Sequence, residues 1–226
     1  MVLSEKDVDA IALLHIDPSG STSLDASRRT SLFRFFRDKV RLFQEFDTGS
    51  TLLERGSGSE VAGSVEGVLI YTWDERAFNR FAGPPSARFF SRVLKTLFGY
   101  YGFAFSKYAK AGASMIGFSG GGEAAASAVP SGRYGKIWVL IVSEGARGRG
   151  IAGKLLERCV SEASSRGTEA LMVTVRTDNA PAIRVYERAG FEKVGECSES
   201  SGRSFVMLKH LTPPESASRV AVEGVS

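Results

Sequence analysis

The sequence predicts a single α/β (α+β) domain, and three observations carry that prediction. The second half alternates short apolar runs with amphipathic helical segments, the pattern of β-α-β units. Lys136 to Ser143 (KIWVLIVS) is nearly continuous in apolar residues, as a strand buried on both faces requires. The composition is that of a chain able to bury a core: 43% of its 226 residues are hydrophobic and 24% charged. That length suits one domain with an insertion better than two full domains.

Taken in order, Ser4-Glu5-Lys6-Asp7 reads as a polar cap with early acids. Val8, Ile11, Leu14 and His15 follow at helical spacing until Asp17-Pro18. From Ala26 to about Phe46, Leu32, Phe35, Phe36, Val40, Phe43 and Phe46 form one apolar face, which should pack on a sheet. Thr51 to Arg55, the turn Gly56-Ser57-Gly58-Ser59 and Val61 to Trp73 read as a hairpin with a longer second strand. Arg76 to Lys110 looks helical, interrupted at Gly83-Pro84-Pro85 and Gly99, and a Gly/Ala/Ser-rich loop follows over Gly120 to Gly135. After the Lys136 strand, Ile151, Leu155, Leu156, Cys159, Val160 and Ala163 share one helical face that ends at Gly167. Ala170 to Arg176 is strand-like, Ala180 to Ala189 is a short helix with Pro181 in its first turn, and Phe191 opens another strand. A last strand covers Arg203 to Lys209. The expected division is a domain over 1–211 with a helical insertion at about 75–125, and a flexible tail over 212–226 with no usable periodicity.

Several classes are excluded or disfavoured by composition. The longest uncharged aromatic-rich run, Thr96 to Ser106, falls well short of the ~20 apolar residues that span a bilayer. The acidic start MVLSEKDVDAIALLH lacks the basic flank of a signal peptide, so a cytoplasmic location is expected. Cys159 and Cys197 cannot build a disulfide scaffold and lack metal-ligand spacing; both are read as reduced, and no metal is expected.

The net charge of +4 is unevenly spread. Residues 76–122 hold Arg76, Arg80, Arg88, Arg92, Lys95, Lys107 and Lys110 without one Asp or Glu, so the remainder is net acidic. The same window holds 11 of the chain's 23 aromatics. A segment of that kind should face something anionic or apolar. It could equally be a helical hairpin packed on its own domain with solvated charges. A lid over an acceptor, a homodimer contact and a membrane-surface contact are the other uses open to it; no nucleic acid is expected.

The chemistry concentrates between the Lys136 strand and its helix, in Glu144-Gly-Ala-Arg147-Gly148-Arg149-Gly150-Ile151-Ala152-Gly153. Glycines let backbone N–H groups approach an anion without a Cβ in the way, and the first helical turn adds unpaired donors and the positive end of a dipole. The loop is neither GxxxxGK[ST] nor GxGxxG in its proper setting. Arg147-Gly148-Arg149-Gly150-Ile151-Ala152 instead resembles the Arg/Gln-x-x-Gly-x-Gly/Ala signature of the GNAT superfamily of acyl-CoA-dependent N-acetyltransferases. Val139 to Val142 resembles that family's acyl-CoA strand, and Asn179 to Phe191 its N-x-x-A-x-x-x-Y-E-x-x-G-F segment. The resemblance is strong over Lys136 to Glu196 and absent from Arg76 to Gly122.

The resemblance implies a central mixed twisted sheet with helices on both faces. It implies acetyl-CoA as co-substrate and an amine-bearing acceptor (small molecule, amino sugar or peptide), which the basic window would allow to be anionic. It also implies that Leu140, Ile141 and Val142 offer backbone groups to the pantetheine arm and that Arg147, Gly148, Arg149, Gly150, Ile151 and Ala152 hold the pyrophosphate. Asn179 would touch the arm where two parallel strands splay, and Tyr186 would sit near the thioester sulfur as the catalytic phenol. Plainer roles stand beside these: Tyr186 as a core aromatic, Asn179 as a helix cap. Thr174 occupies the position where some N-terminal amine acetyltransferases of the superfamily carry a Glu base; Thr cannot serve, so another carboxylate, for which Glu144, Asp74 and Glu66 are guesses, or a water chain must take the proton, and the base stays unassigned. The alternative is a non-catalytic acyl-CoA-binding module whose basic insertion docks on a membrane, nucleic acid or protein partner.

Overall fold

The computed structural model describes residues 3–18, 26–46, 49–56, 64–83, 86–97, 130–199 and 202–211. The later part of the expected insertion, 98–129, and the expected tail, 212–226, lie outside the described residues. Helices α1 (Glu5–Ile16) and α2 (Ala26–Gln44) precede strands β1 (Gly49–Arg55) and β2 (Val65–Thr72). Helices α3 (Glu75–Ala82) and α4 (Ala87–Leu97) come next, then β3 (Tyr134–Val142), α5 (Ile151–Ser165), β4 (Ala170–Arg176), α6 (Ala180–Arg188), β5 (Glu192–Glu199) and β6 (Gly202–His210).

The six strands form one sheet in the order β1-β2-β3-β4-β6-β5. Only β3 and β4 run parallel; the other neighbours are antiparallel, so the sheet is mixed as expected. Period-two alternation splits the strands' apolar residues between two faces. Leu69, Tyr71, Ile137, Leu171, Val173 and Met207 pack under α5 and α6 with Leu155, Leu156, Cys159, Ile183 and Tyr186. On the other face Leu53, Val68, Ile70 and Val139 meet Ile11 of α1, Val40 and Phe43 of α2, and Phe78 of α3.

The local signals account for the helix ends. The Ser4 side chain accepts from the Asp7 N–H while the Asp7 carboxylate accepts from the Ser4 N–H, a reciprocal cap that starts α1. Asp74 caps α3 through the Ala77 N–H at 2.9 Å. Gly67 has a packing reason: a Cβ there would meet Ile151 Cγ2 at 2.6 Å, so its absence lets the first turn of α5 settle on β2.

The first part of the basic, aromatic window is helical, as its composition suggests; α3 joins the domain's own core, whereas Phe90 and Leu94 of α4 are exposed. Phe78 is buried, stacked on Phe43 at 4.8 Å and set against Phe46 and Trp138 at 5.0 and 5.3 Å. Three of the described cations have partners within the chain. Arg88 pairs with Glu45 and Lys95 with Asp38, both carboxylates of the α2 region, and Arg76 donates to the carbonyls of Pro130 and Ser131. Among the described residues no helix is long and apolar enough to cross a membrane.

His15 lies at the end of α1 with its ring 3.8 Å from that of Phe36. Burial, with help from Lys39, depresses its pKa to about 3. The folded protein therefore resists a proton that the unfolded chain, titrating near 6.5, accepts. The resulting stability is present above pH 6.5 and is lost as pH falls toward 3. Between pH 7 and pH 5 the loss should be about 2 kcal/mol. Buried Glu75, whose pKa burial raises, contributes with the opposite sign. The measurement is thus the difference between wild type and His15→Phe in urea unfolding at the two pH values. Equal pH dependence in both proteins would remove His15 from the account.

Candidate functional site

The site begins where β3 and β4 stop pairing. Their ladder holds four residue pairs, Tyr134/Ala170 to Ile137/Val173, although β3 continues to Val142 and β4 to Arg176. Each strand keeps its outer neighbour along that length: Val142 pairs with Gly67 of β2, and Arg176 with Ser204 of β6. The divergence coincides with a bulge in β3. Ile70 faces Val139 and the next residue, Tyr71, faces Ile137, so Trp138 is an extra residue that bends the strand just past its last pair with β4. Leu140, Ile141 and Val142 lie beyond this point and are only half-buried, not enclosed on both faces as the apolar run suggests, because the parallel neighbour has left.

At the end of β3 the chain makes a single 3-10 turn over Glu144–Ala146 and enters α5 through two left-handed glycines, Gly148 (φ 77°) and Gly150 (φ 76°). Gly150 is the N-cap of α5 and provides no side-chain cap. No described residue accepts a hydrogen bond from the N–H groups of Gly148 to Gly153, which leaves the first-turn donors of α5 unspent. A Cβ built on Gly145, Gly148, Gly150 or Gly153 would meet nothing within 4 Å. The donors therefore border open space, the form of a phosphate cradle.

Charge around the cradle is unequal. Arg147 is exposed and has no carboxylate partner among the described residues, and the same is true of Lys154 one turn into the helix. Arg149 is held at 2.8 Å by Glu66 of β2. Lys154 was not singled out from the sequence; its place in the first turns of a helix that opens with glycines is the signal that could have found it.

Tyr186, in the second turn of α6, shares the core beneath the opening with Ile137, Val173, Cys159 and Phe191. Its ring meets Phe191 edge-on at 5.5 Å, and burial pushes its phenol well above the ordinary tyrosine range. The group is thus held protonated. Its hydroxyl has no hydrogen-bond partner among the described residues, so a donor remains available. Asn179 caps α6: its Oδ1 accepts from the Ala182 N–H at 3.2 Å, with the side chain exposed at the C-terminal end of β4. β3 and β4 being parallel, this end is also that of Val142 and the glycine loop.

The candidate bases do not converge. Glu66 is engaged by Arg149, and Asp74 caps α3 beside Arg133 at 3.5 Å. Glu144 is exposed at the start of the 3-10 turn. Sequence reasoning missed Glu75 and Lys136, a carboxylate and an ammonium buried beside the bulge, because each lies in a run read for its helical or strand pattern. Among the described residues no group of three His, Cys, Asp or Glu side chains could hold a metal ion.

Residues 24–191 match the sequence model of the acetyltransferase (GNAT) family. An acetyltransferase of Agrobacterium fabrum is 42% identical over 74 residues, 32% of this chain and 53% of that protein. A mycothiol acetyltransferase of Corynebacterium aurimucosum is 36% identical over 58 residues, 26% of this chain and 19% of that protein. The match thus spans about half of one curated relative and about a fifth of the other. Among solved structures, Ard1 of Thermoplasma volcanium superposes with a TM-score of 0.52 at 16% identity, covering 94% of this chain and 96% of that one. The NatC complex bound to Gag peptide and CoA gives 0.52 at 16% identity, over 94% and 97%. These two are likenesses of fold.

The Asn179 cap yields a stability prediction. Asn179→Ala should lower stability by about 1 kcal/mol by leaving the Ala182 N–H unpaired. Urea denaturation checks it, and an unchanged midpoint would mean that the cap contributes nothing.

Proposed function

The chain belongs to the GNAT acetyltransferase family, and from that membership we propose that it transfers an acetyl group from acetyl-CoA to the nitrogen of an amine acceptor by direct attack on the thioester. One observation carries the reading: the parting of β3 from β4 opens toward the uncapped, glycine-lined start of α5. An extended molecule with amide groups along its length and phosphates at one end fits that combination.

Acetyl-CoA supplies an activated acetyl group. The backbone of Leu140, Ile141 and Val142 would pair with the pantetheine amides as a neighbouring strand would, satisfying edge groups that β4 has abandoned. Arg147 to Ala152, with the N–H of Gly153, would hold the pyrophosphate through donors and helix dipole, and Arg147 and Lys154 would add charge from the rim. The exposed amide nitrogen of Asn179 would reach the arm from the β4 side.

The reaction forms a nitrogen–carbon bond and breaks the carbon–sulfur bond, so negative charge develops on sulfur. Tyr186, kept neutral by burial, would donate a hydrogen bond or its proton there. The acceptor would enter from elements of the first half: α1, α2, the β1–β2 hairpin and the insertion. Its ammonium must first lose a proton, and a carboxylate or an ordered water chain on that side serves.

Two measurements test the reading. CoA and acetyl-CoA should each raise the melting temperature, with about 2.7 kcal/mol of stabilisation at ~100 times Kd. Gly150→Asp should abolish this, because it places a carboxylate in the cradle and a Cβ on a left-handed backbone. Equal thermal shifts in the two proteins would sink the co-substrate assignment.

Tyr186→Phe keeps the ring in its apolar site and removes the hydroxyl. Free-thiol release with a turned-over amine should fall by up to ~10² to 10⁴ in kcat if the phenol acts as general acid, with acetyl-CoA affinity little changed. A variant whose chemical step limits turnover and whose kcat matches wild type would reduce Tyr186 to packing.

A further inference from the structure

Directly beside the bulge, on the sheet face that carries α1 to α3, two opposite charges are buried. Glu75 is 3% exposed and Lys136 8%. Glu75, the first residue of α3, accepts from the Thr72 hydroxyl at 2.9 Å and from the Asn79 amide at 3.4 Å. Thr72 is itself the cross-strand partner of Lys136, so the carboxylate bridges the end of β2 and the start of β3. Lys136 lies beside it and lowers the carboxyl pKa that burial raises. The Lys136 ammonium sits 4.3 Å from the ring centroid of Trp138, the bulged residue. The Trp138 indole N–H lies toward the same carboxylate but outside hydrogen-bonding geometry, and its ring packs against the stacked pair Phe43 and Phe78.

Stability alone does not call for this arrangement. Apolar residues of similar volume often do as well as buried charges, or better. What the pair does provide is position. Lys136 is the last but one residue of β3 to pair with β4, and Trp138 is the first beyond the ladder. A cation held over Trp138 from one side, with Phe43 and Phe78 on its other surfaces, selects one orientation of the bulge. The bulge in turn sets where the backbone of Leu140 to Val142 runs.

We propose that Glu75 and Lys136 are positioning residues for acetyl transfer: a buried carboxylate held by Thr72 and a buried ammonium on the strand beside it, which together fix the bulge at Trp138 and, through it, the width of the opening between β3 and β4. The proposal rests on the acetyltransferase reading. The pair touches neither the cradle nor Tyr186 and acts through Trp138.

The test uses Glu75→Gln, Lys136→Met and the double variant. Each is made in the full chain and again with Trp73→Phe, which leaves Trp138 as the sole indole. Each single substitution should shift Trp138 emission and lower kcat about ten- to a hundredfold through misplacement of the reacting groups. The acetyl-CoA dissociation constant, read by thermal shift, should move less than about threefold, because the cradle is intact. The two substitutions should be non-additive, the double variant losing no more kcat than the worse single. Folded single variants with wild-type emission and kcat would overturn the proposal, as would losses that simply multiply in the double variant. If the singles do not fold, the double variant, which strands neither charge, carries the test: reduced kcat with normal acetyl-CoA binding supports positioning, and wild-type kcat overturns it. Failure of the acetyltransferase reading itself has a separate signature, the absence of any CoA-dependent thermal shift in wild type.

Discussion

Past the Ile137/Val173 pair, two parallel strands in the middle of a sheet cease to bond to each other, and the rest of the domain is arranged around that break. Backbone groups left unpaired inside a protein are costly, so an interior edge of this kind persists only if something holds the strands apart and something else can satisfy them. The outer ladders do the holding: β2 stays on β3 as far as Val142, and β6 stays on β4 as far as Arg176. The extra residue at Trp138 sets the direction in which β3 leaves. A linear molecule with its own amides can supply the missing partners, which is why the break reads as a binding slot and not as a defect.

The two faces of the sheet divide the work. α5 and α6 cover one face and bring to it the cradle at the start of α5, Asn179 at the start of α6 and Tyr186 further along. All of these come from residues 144–191, a continuous stretch that the parallel pairing of β3 with β4 folds onto one end of the sheet. The opposite face carries α1, α2 and α3, with Phe43, Phe78 and Trp138 in its core. In the proposed function the acceptor would be selected there, by parts of the chain far removed in sequence from the cradle.

That division explains what could be read from the sequence. The helix caps at Ser4 and Asn179, the apolar stripe of α5 and the glycines at 148 and 150 are local: each depends on residues a few positions apart. The strand order and the Trp138 bulge are not local, and a bulged strand has the same apolar run as a regular one. Counting charges over 76–122 found a cation excess but could not see that Asp38 of α2 and Glu45 just past its end would meet Lys95 and Arg88. Glu75 is the first residue of α3, next to the cap Asp74, and Lys136 stands at the head of an apolar run. Only the pairing of Thr72 with Lys136 brings the two charges to one place.

The same distinction between local and distant partners bears on the cradle's electrostatics. Arg149 belongs to the glycine loop, yet it is held by Glu66 from β2, with the arginine side chain 53% exposed and the carboxylate 20%. A pair as open to solvent as this contributes about 0.2 to 1 kcal/mol. A hydrogen bond from the guanidinium to a phosphate oxygen contributes about 1.5 to 3 kcal/mol. In the proposed function, a pyrophosphate in the loop would draw Arg149 away from Glu66 or share it. Glu66 also accepts, through its backbone carbonyl, from the Ser143 N–H at 2.8 Å, so this parking place is built into the end of β3 itself.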